Sequence, residues 1–341
     1  MDISPLDRRI LRYLLENGVL ASEREIAHSL RISPSTLSFK LRKFEDSGVI
    51  INYKYRVDFS KIGLGELAWV FCRINYGNGA VKEAMQKLLE YPQVHVCLLV
   101  SGEYNICLKV YGEDRQEIEN FTRRLASGFH GSIEHGRTYF AREQIKGHNQ
   151  IMKKAGSKKN YEFDETDLKI LSEKMLSPKM SLSEAAQRLR MHRNTVRSHW
   201  ARMLEGKVIV KKTPIINPDL HREMGIYMMG VMLLRSVRGK EEKLAGELAA
   251  LNEVHELNLL ENTDYGYNLI AILRTNDLAA FYKITTDFYS DKRYSSGLLA
   301  ANSSIILSSD SRRHTYIKDI GMRKLVADRE KAEKNKHLIA R

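Results

Sequence analysis

The stretch whose reading decides the fold is residues 23–50, EREIAHSLRISPSTLSFKLRKFEDSGVI. Ile26, Ala27 and Leu30 make one apolar stripe, and Leu37, Leu41 and Phe44, at i, i+4 and i+7, make a second. Two short helices that must bury facing stripes pack against each other. Ser33 suits the N-cap of the second helix, Pro34 its first position, where no backbone N–H is needed, and Gly48 the left-handed residue past its end. The face left to solvent is Ser35, Ser38, Phe39, Arg42 and Lys43, with Lys40 beside them. It is small and polar at its start and basic further along, as a helix entering the major groove requires: small groups leave room at the base edges and cations meet phosphates. Taken alone, this helix fits an ordinary solvated surface helix equally well.

A second copy shifts the balance toward DNA. Residues 184–209 repeat the pattern at an offset of 159, so that Ala27, Leu30, Thr36, Leu37, Val49 and Ile50 correspond to Ala186, Leu189, Thr195, Val196, Val208 and Ile209. A lead helix precedes each copy, Asp7, Ile10 and Leu11 being answered by Asp167, Ile170 and Leu171. The second copy departs where His192 replaces Ser33 and Lys207 replaces Gly48, which predicts a helix with less definite ends. Its exposed face is the more cationic of the two: Arg193, Arg197 and Arg202 project with Asn194 and Ser198, while Val196, Trp200 and Met203 turn inward. Arginine can take guanine O6 and N7, and asparagine adenine N6 and N7.

The runs Leu6-Asp7-x-x-Ile10-Leu11, Ile26-Ala27-x-x-Leu30, Ser33-x-Ser35-Thr36-Leu37 and Glu45-x-x-Gly48-Val49-Ile50 resemble the leucine-responsive regulatory protein/AsnC (Lrp/AsnC) family, closely in the first half of the chain and more loosely in the second. The resemblance implies a transcription regulator with a winged helix-turn-helix and a ferredoxin-like effector domain, here duplicated in tandem. It also implies assembly into higher homo-oligomers, and a small-molecule effector, often an amino acid, bound near the turn between the second and third strands of the ferredoxin-like domain. That turn is Ser101-Gly102-Glu103-Tyr104-Asn105, echoed by Asp264-Tyr265-Gly266-Tyr267-Asn268. Where the family carries an acid, both copies carry Asn, and an amide cannot pair a ligand ammonium as a carboxylate does. A purely structural hairpin is the competing reading of both turns.

The expected class is α+β, with two winged helix-turn-helix domains alternating with two ferredoxin-like (βαββαβ) sandwich domains. The first winged helix occupies 1–60, its lead helix 4–17 and its wing a short hairpin, 49–51 and 55–57, that offers Lys54 and Arg56 to a DNA backbone. Strand-like periodicity begins at Glu66 and gives strand 67–75, helix 80–91, strands 94–100 and 104–111, helix 115–125 and strand 132–140, within a domain 61–144. A basic linker, 145–162, follows. The second winged helix is 163–218, with Lys211 and Lys212 on its wing as phosphate contacts, and Pro214 and Pro218 expected to interrupt any long strand. The second ferredoxin-like domain, 219–311, repeats the order with strands 226–234, 254–260, 267–273 and 303–307 and helices 240–251 and 277–289. A charged tail, 312–341, is expected to be helical and exposed. Each sheet presents an apolar face that its twin can cover, within one chain or between two.

The formal net charge of +13 implies an anionic partner, here double-stranded DNA. Residues 137–160 hold seven basic side chains against one acid, and 312–341 hold ten against four. No apolar run spans a membrane and no signal peptide opens the chain, so a cytoplasmic, nucleoid-associated protein is expected. Cys72, Cys97 and Cys107 lie in apolar runs without metal-ligand spacing and are expected to be buried free thiols. No catalytic, cofactor or metal motif stands out. Sirohaem decarboxylases share the two-part fold, but neither hairpin here has the His and Arg of their His-Asn-Tyr-x-Arg cluster. An architectural DNA-packaging protein without effector remains the main alternative to a sequence-specific regulator.

Overall fold

Ser4, Ser22 and Ser33 each accept a hydrogen bond from the backbone N–H three residues on, and a helix begins directly after each. The structure is a computed structural model that describes residues 3–75, 81–128, 133–147, 161–221, 228–261 and 266–311. In chain order the elements are helices α1 (Pro5–Asn17), α2 (Glu23–Leu30) and α3 (Pro34–Asp46) and strand β1 (Ile50–Val57), followed by β2 (Glu66–Ile74), α4 (Val81–Glu90), β3 (Val94–Val100), β4 (Ile106–Gly112), α5 (Arg115–Gly128) and β5 (Ile133–Lys146). The order then repeats as α6 (Glu165–Leu176), α7 (Leu182–Leu189), α8 (Arg193–Glu205), β6 (Ile209–Ile216), β7 (Met228–Ser236), α9 (Glu241–Ala249), β8 (Val254–Leu260), β9 (Leu269–Arg274), α10 (Leu278–Ser290), the short α11 (Lys292–Ser295) and β10 (Leu298–Ser311). The linker at 148–160 and the tail at 312–341 lie outside the described residues. Among the described residues no helix is long and apolar enough to cross a membrane.

The chain divides into two compact units, 1–58 with 169–227 and 59–168 with 228–341. The first unit holds both winged helices. Ile10, Leu11, Leu14, Ile26, Ala27, Leu37 and Phe44 form one core, to which Ile216 and Leu220 of the second copy also belong. The expected wing hairpin does not form. Instead β1 is one continuous strand pairing antiparallel with β6, Tyr55 opposite Lys212 and Arg56 opposite Lys211. An isolated strand leaves a row of unpaired backbone groups, and the equivalent strand of the other copy satisfies them. Pro214 does not interrupt β6: it faces Tyr53 in a two-stranded ladder, where a missing N–H on the open edge costs nothing. The copies also meet at Gly18, whose φ of 84° closes α1. A Cβ there would stand 2.4 Å from Lys211 Cγ and 2.7 Å from the Lys212 carbonyl oxygen, and the next residue, Val19, donates to that same oxygen at 2.7 Å.

In the second unit the two βαββαβ halves form sheets of identical order, β3-β4-β2-β5 and β8-β9-β7-β10, closed into one barrel by β5–β8 and β10–β3 pairing. One core lies between the first sheet and its helices, built on Val70, Leu88, Leu108, Ile118 and Phe121. A matching core in the second half uses Leu234, Leu244, Leu257, Phe281 and Phe288. A third, with Trp69, Phe71, Tyr139, Leu233, Ile270 and Ile272, fills the space between the sheets. Both last strands outrun their expected C-terminal bounds for one reason: residues 141–146 of β5 pair with β8, and 306–311 of β10 pair with β3. Those extensions have no partner in their own half, so local periodicity could not reveal them. The three cysteines are free and buried, and burial pushes the Cys72 thiol up to about 12.

Candidate nucleic-acid interface

Helices α3 and α8, the expected recognition helices, each bury one stripe and expose the opposite face. On α3, Leu37 and Phe44 are buried, Ser35, Arg42 and Lys43 are exposed, Ser38 is half-buried, and Phe39 is 65% exposed. On α8, Val196, Trp200 and Met203 are buried while Arg193, Asn194, Arg197, Ser198 and Arg202 are exposed. The substitutions that predicted indefinite ends for α8 keep the local geometry. His192 caps the helix by accepting from Asn194 N at 3.3 Å, and Lys207 takes φ 53° where Gly48 takes 71°.

Four of the expected phosphate contacts are placed otherwise. Lys40 turns back onto the partly buried Asp7 at 2.7 Å. Burial alone would raise the Asp7 carboxyl, but bonds from Lys40 and Ser4 outweigh it and hold it below its ordinary value. Arg56 is half-buried in the ladder, and desolvation pulls its guanidinium down to about 10. Lys211 donates to the Glu16 carbonyl oxygen. Lys212 lies 4.8 Å from the Tyr53 ring centre and 5.6 Å from that of Tyr55. The β1–β6 ladder thus spends its cations on the joint between the two copies. Lys54, half-buried, stands opposite Thr213. The alternation of aromatic and basic residues in the strand was legible, but the face that would be covered was not.

The same joint holds a cation that sequence reading passed over. Lys174 of α6 is buried, donates to the Met180 carbonyl oxygen, and lies over Tyr55 at 5.7 Å and Trp200 at 5.5 Å. Desolvation, with Lys212 nearby, pulls it down to about 8. A folded-state value below the unfolded one means that the unfolded chain binds more protons between about pH 8 and 10.5, so stability rises with pH across that window. Lys174, with Lys211 and Lys212 of the same sign, is expected to lift Tm over this range, against the raised Cys72 thiol and Tyr53 and Tyr55 phenols, which lower it from about pH 9 upward. The Tm difference between the native chain and Lys174→Met, measured across the window, is expected to move in favour of the native chain as pH rises.

At the expected effector turns, both asparagines are spent on hydrogen bonds to the end of a neighbouring strand. Asn105 accepts from Ile74 N at 2.7 Å and donates to the Ile74 carbonyl oxygen at 2.8 Å, pinning the end of β2. Asn268 accepts from Ser236 N at 2.9 Å and donates to Ser236 Oγ at 2.8 Å, at the corresponding end of β7. Of the remaining turn residues, Ser101 accepts from Ile305 N, Gly102 and Glu103 are exposed, and Gly266 and Tyr267 are half-buried. Asp264 and Tyr265 lie outside the described residues. Tyr104 packs edge-on to Phe71 with the Arg137 guanidinium 5.8 Å from its ring. These contacts favour the structural reading of the two Asn positions; Tyr104 and Arg137, with the exposed Glu103 and with Arg73, which donates to the Glu103 carbonyl oxygen at 3.0 Å, are polar groups beside the first turn.

Comparison with known proteins places the first half. Residues 3–51 match a winged helix-turn-helix DNA-binding family and residues 69–151 the Lrp/AsnC ligand binding domain. The HTH-type transcriptional regulator FL11 of Pyrococcus horikoshii is 26% identical over 37% of this chain and 81% of its own length. An uncharacterised HTH-type transcriptional regulator of Pyrococcus furiosus is 28% identical over 43% of this chain and 95% of its own. Over the whole chain, the crystal structure of the siroheme decarboxylase NirDL superposes with a TM-score of 0.60 at 12% identity, covering 96% of this chain and all of that one. That last likeness is one of fold.

Proposed function

We propose, from a chain whose first half belongs to the Lrp/AsnC family of transcription regulators, that this protein is a sequence-specific DNA-binding regulator carrying both reading heads of a pseudo-dimer in one polypeptide. The observation that carries the reading is the contrast within the first unit: its wing cations are consumed at the β1–β6 joint, while Arg42, Lys43, Arg193, Arg197 and Arg202 on the two recognition helices are left exposed. Charge kept on groove-entering helices, not on the joint, is what DNA reading requires. The basic segments at 137–160 and 312–341 add sequence-independent attraction. Further association of chains and a small effector near Tyr104 and Arg137 complete the proposal. Footprinting on genomic fragments tests it. Discrete protected sites are expected; continuous coverage at the same occupancy would make it a packaging protein.

The whole-chain likeness to a siroheme decarboxylase supports a second reading, in which the barrel unit binds an iron porphyrin. The hairpins argue against it, because neither carries the His and Arg expected of that cluster and both asparagines are committed to bonds within the fold. Titration with iron-uroporphyrin is expected to leave its Soret band unshifted, and a stoichiometric shift would favour the enzyme.

A further inference from the structure

The two sheets of the barrel unit have the same strand order and are joined at both ends, so each position in one half has a counterpart in the other. The registers give the equivalences. Lys109 on β4 stands between Trp69 on β2 and Val96 on β3. On the other sheet the same row reads Val231, Ile272 and Glu256, with Ile272 in the middle. Lys109 is 2% exposed, and its ammonium lies 2.5 Å from the Glu256 carboxylate of the opposite half. Glu256 also accepts from Gln144 at 3.1 Å and from Asn258 at 3.2 Å, so the buried acid is well bonded. The counterparts of this ion pair are Ile272 and Val96, both part of the apolar cluster between the sheets. One of two equivalent places is charged and the other is greasy.

A second contact breaks the symmetry in the same sense. Arg115 Nη1 is 2.7 Å from Glu261 Oε2 of the other half. Asp114 caps α5 through Glu117 N as Asp277 caps α10 through Ala280 N, which makes Leu278 the counterpart of Arg115. Glu261 N bonds the Phe140 carbonyl oxygen as Ser101 N bonds that of Ile305, which makes Ser101 the counterpart of Glu261. Again the equivalent place carries no charge. In both pairs the base belongs to the first half and the acid to the second.

We infer that the barrel interface is coded for unlike partners: it accepts a second half against a first half and rejects a first half of another copy, or any subunit lacking the acid at the Glu256 place. Two first halves paired alike would bury two Lys109 side chains, each facing the Val96 of the other, and two second halves would bury two unpaired Glu256 carboxylates. A buried ion pair adds little net stability over an apolar one, but either member without its partner is strongly disfavoured, so the pair acts mainly on selection. The duplicated chain is thereby kept from scrambling with its own copies and with single-unit relatives.

The test uses the full chain. Ala141 faces Leu260 across one seam and Val100 faces Ile306 across the other, and Val100 is the counterpart of Leu260. Only a like pair brings Ala141 of one copy opposite Val100 of another. Ala141→Cys/Val100→Cys is placed in the native background and in Lys109→Ile/Glu256→Val/Arg115→Leu/Glu261→Ser. Each protein is refolded at high concentration and oxidised, and disulfide-linked species of twice the 39.3 kDa chain mass are scored. The neutral background is expected to give about tenfold more of them or above, since each like pair in the native background buries unmatched charge. Ala141→Cys/Leu260→Cys, which closes the native seam, reports folding in both backgrounds. Equal yields of the linked dimer in two folded backgrounds would overturn the inference.

Discussion

Arg193→Ala/Arg197→Ala/Arg202→Ala is expected to reduce DNA affinity more than any other surface change in this protein and to lower the slope of log K against log salt by about 2.7, at about 0.9 per phosphate contact. All three side chains are exposed on α8, Arg202 with its guanidinium 3.1 Å from His199 Nδ1, so their removal leaves the core of Val196, Trp200 and Met203 intact, and the far-ultraviolet dichroism should not change and Tm only slightly. An arginine among them that takes a guanine edge adds about 1–3 kcal/mol to the loss and relaxes specificity at one position. Lys211→Ala/Lys212→Ala is the internal control. Those ammoniums meet the Glu16 carbonyl oxygen and the Tyr53 and Tyr55 rings, so the double variant should cost stability and leave the salt slope almost unchanged. An unchanged slope in the triple variant would remove α8 from the interface altogether.

The contrast between these two variants shows which part of the site could be read in the chain. Helix stripes are local, and 23–50 and 184–209 carried them: Leu37 and Phe44 are buried, as are Val196, Trp200 and Met203, whereas the His192 cap and the left-handed Lys207 that end α8 cleanly run against what those residue types suggest. What a strand does with its charges depends on what pairs with it, and the partner of β1 lies in the second copy. The sequence YKYRV therefore looked like a wing open to phosphate, whereas Tyr53, Tyr55 and Val57 face a covered joint and Arg56 is desolvated. The bonds of the hairpin asparagines were hidden for a related reason, since a side chain bonded to the backbone of the neighbouring strand leaves no trace in spacing. Lys109 in ICLKVYG and Glu256 in VHELNLL were each visible as a charge inside an apolar run. That they face each other follows only from two sheets meeting.

Selection from random DNA is expected to enrich a site whose two halves differ, and the reason is the difference between the two reading faces. A two-fold dimer of identical subunits reads a palindrome, because each half-site meets the same side chains. In the proposed arrangement one polypeptide supplies both heads, and their exposed faces are chemically unlike. On α3 the exposed groups are Ser35, Phe39 and Arg42, with Phe39 standing 65% in solvent, an apolar group suited to a thymine methyl. On α8 they are Asn194, Arg197 and Ser198, suited to adenine N6/N7 and guanine O6/N7. Two helices laid along one face of a duplex put their half-sites about one helical turn, roughly 34 Å, apart. The site should then be T·A-rich on the α3 side and G·C-rich on the α8 side, each wrong base pair costing about 1–3 kcal/mol. Phe39→Ala should flatten the first half of the enriched motif and leave the second unchanged, and Arg197→Ala should do the reverse. Enrichment of a short palindrome with identical half-sites one turn apart would refute the single-chain arrangement, since no pair of unlike helices prefers it.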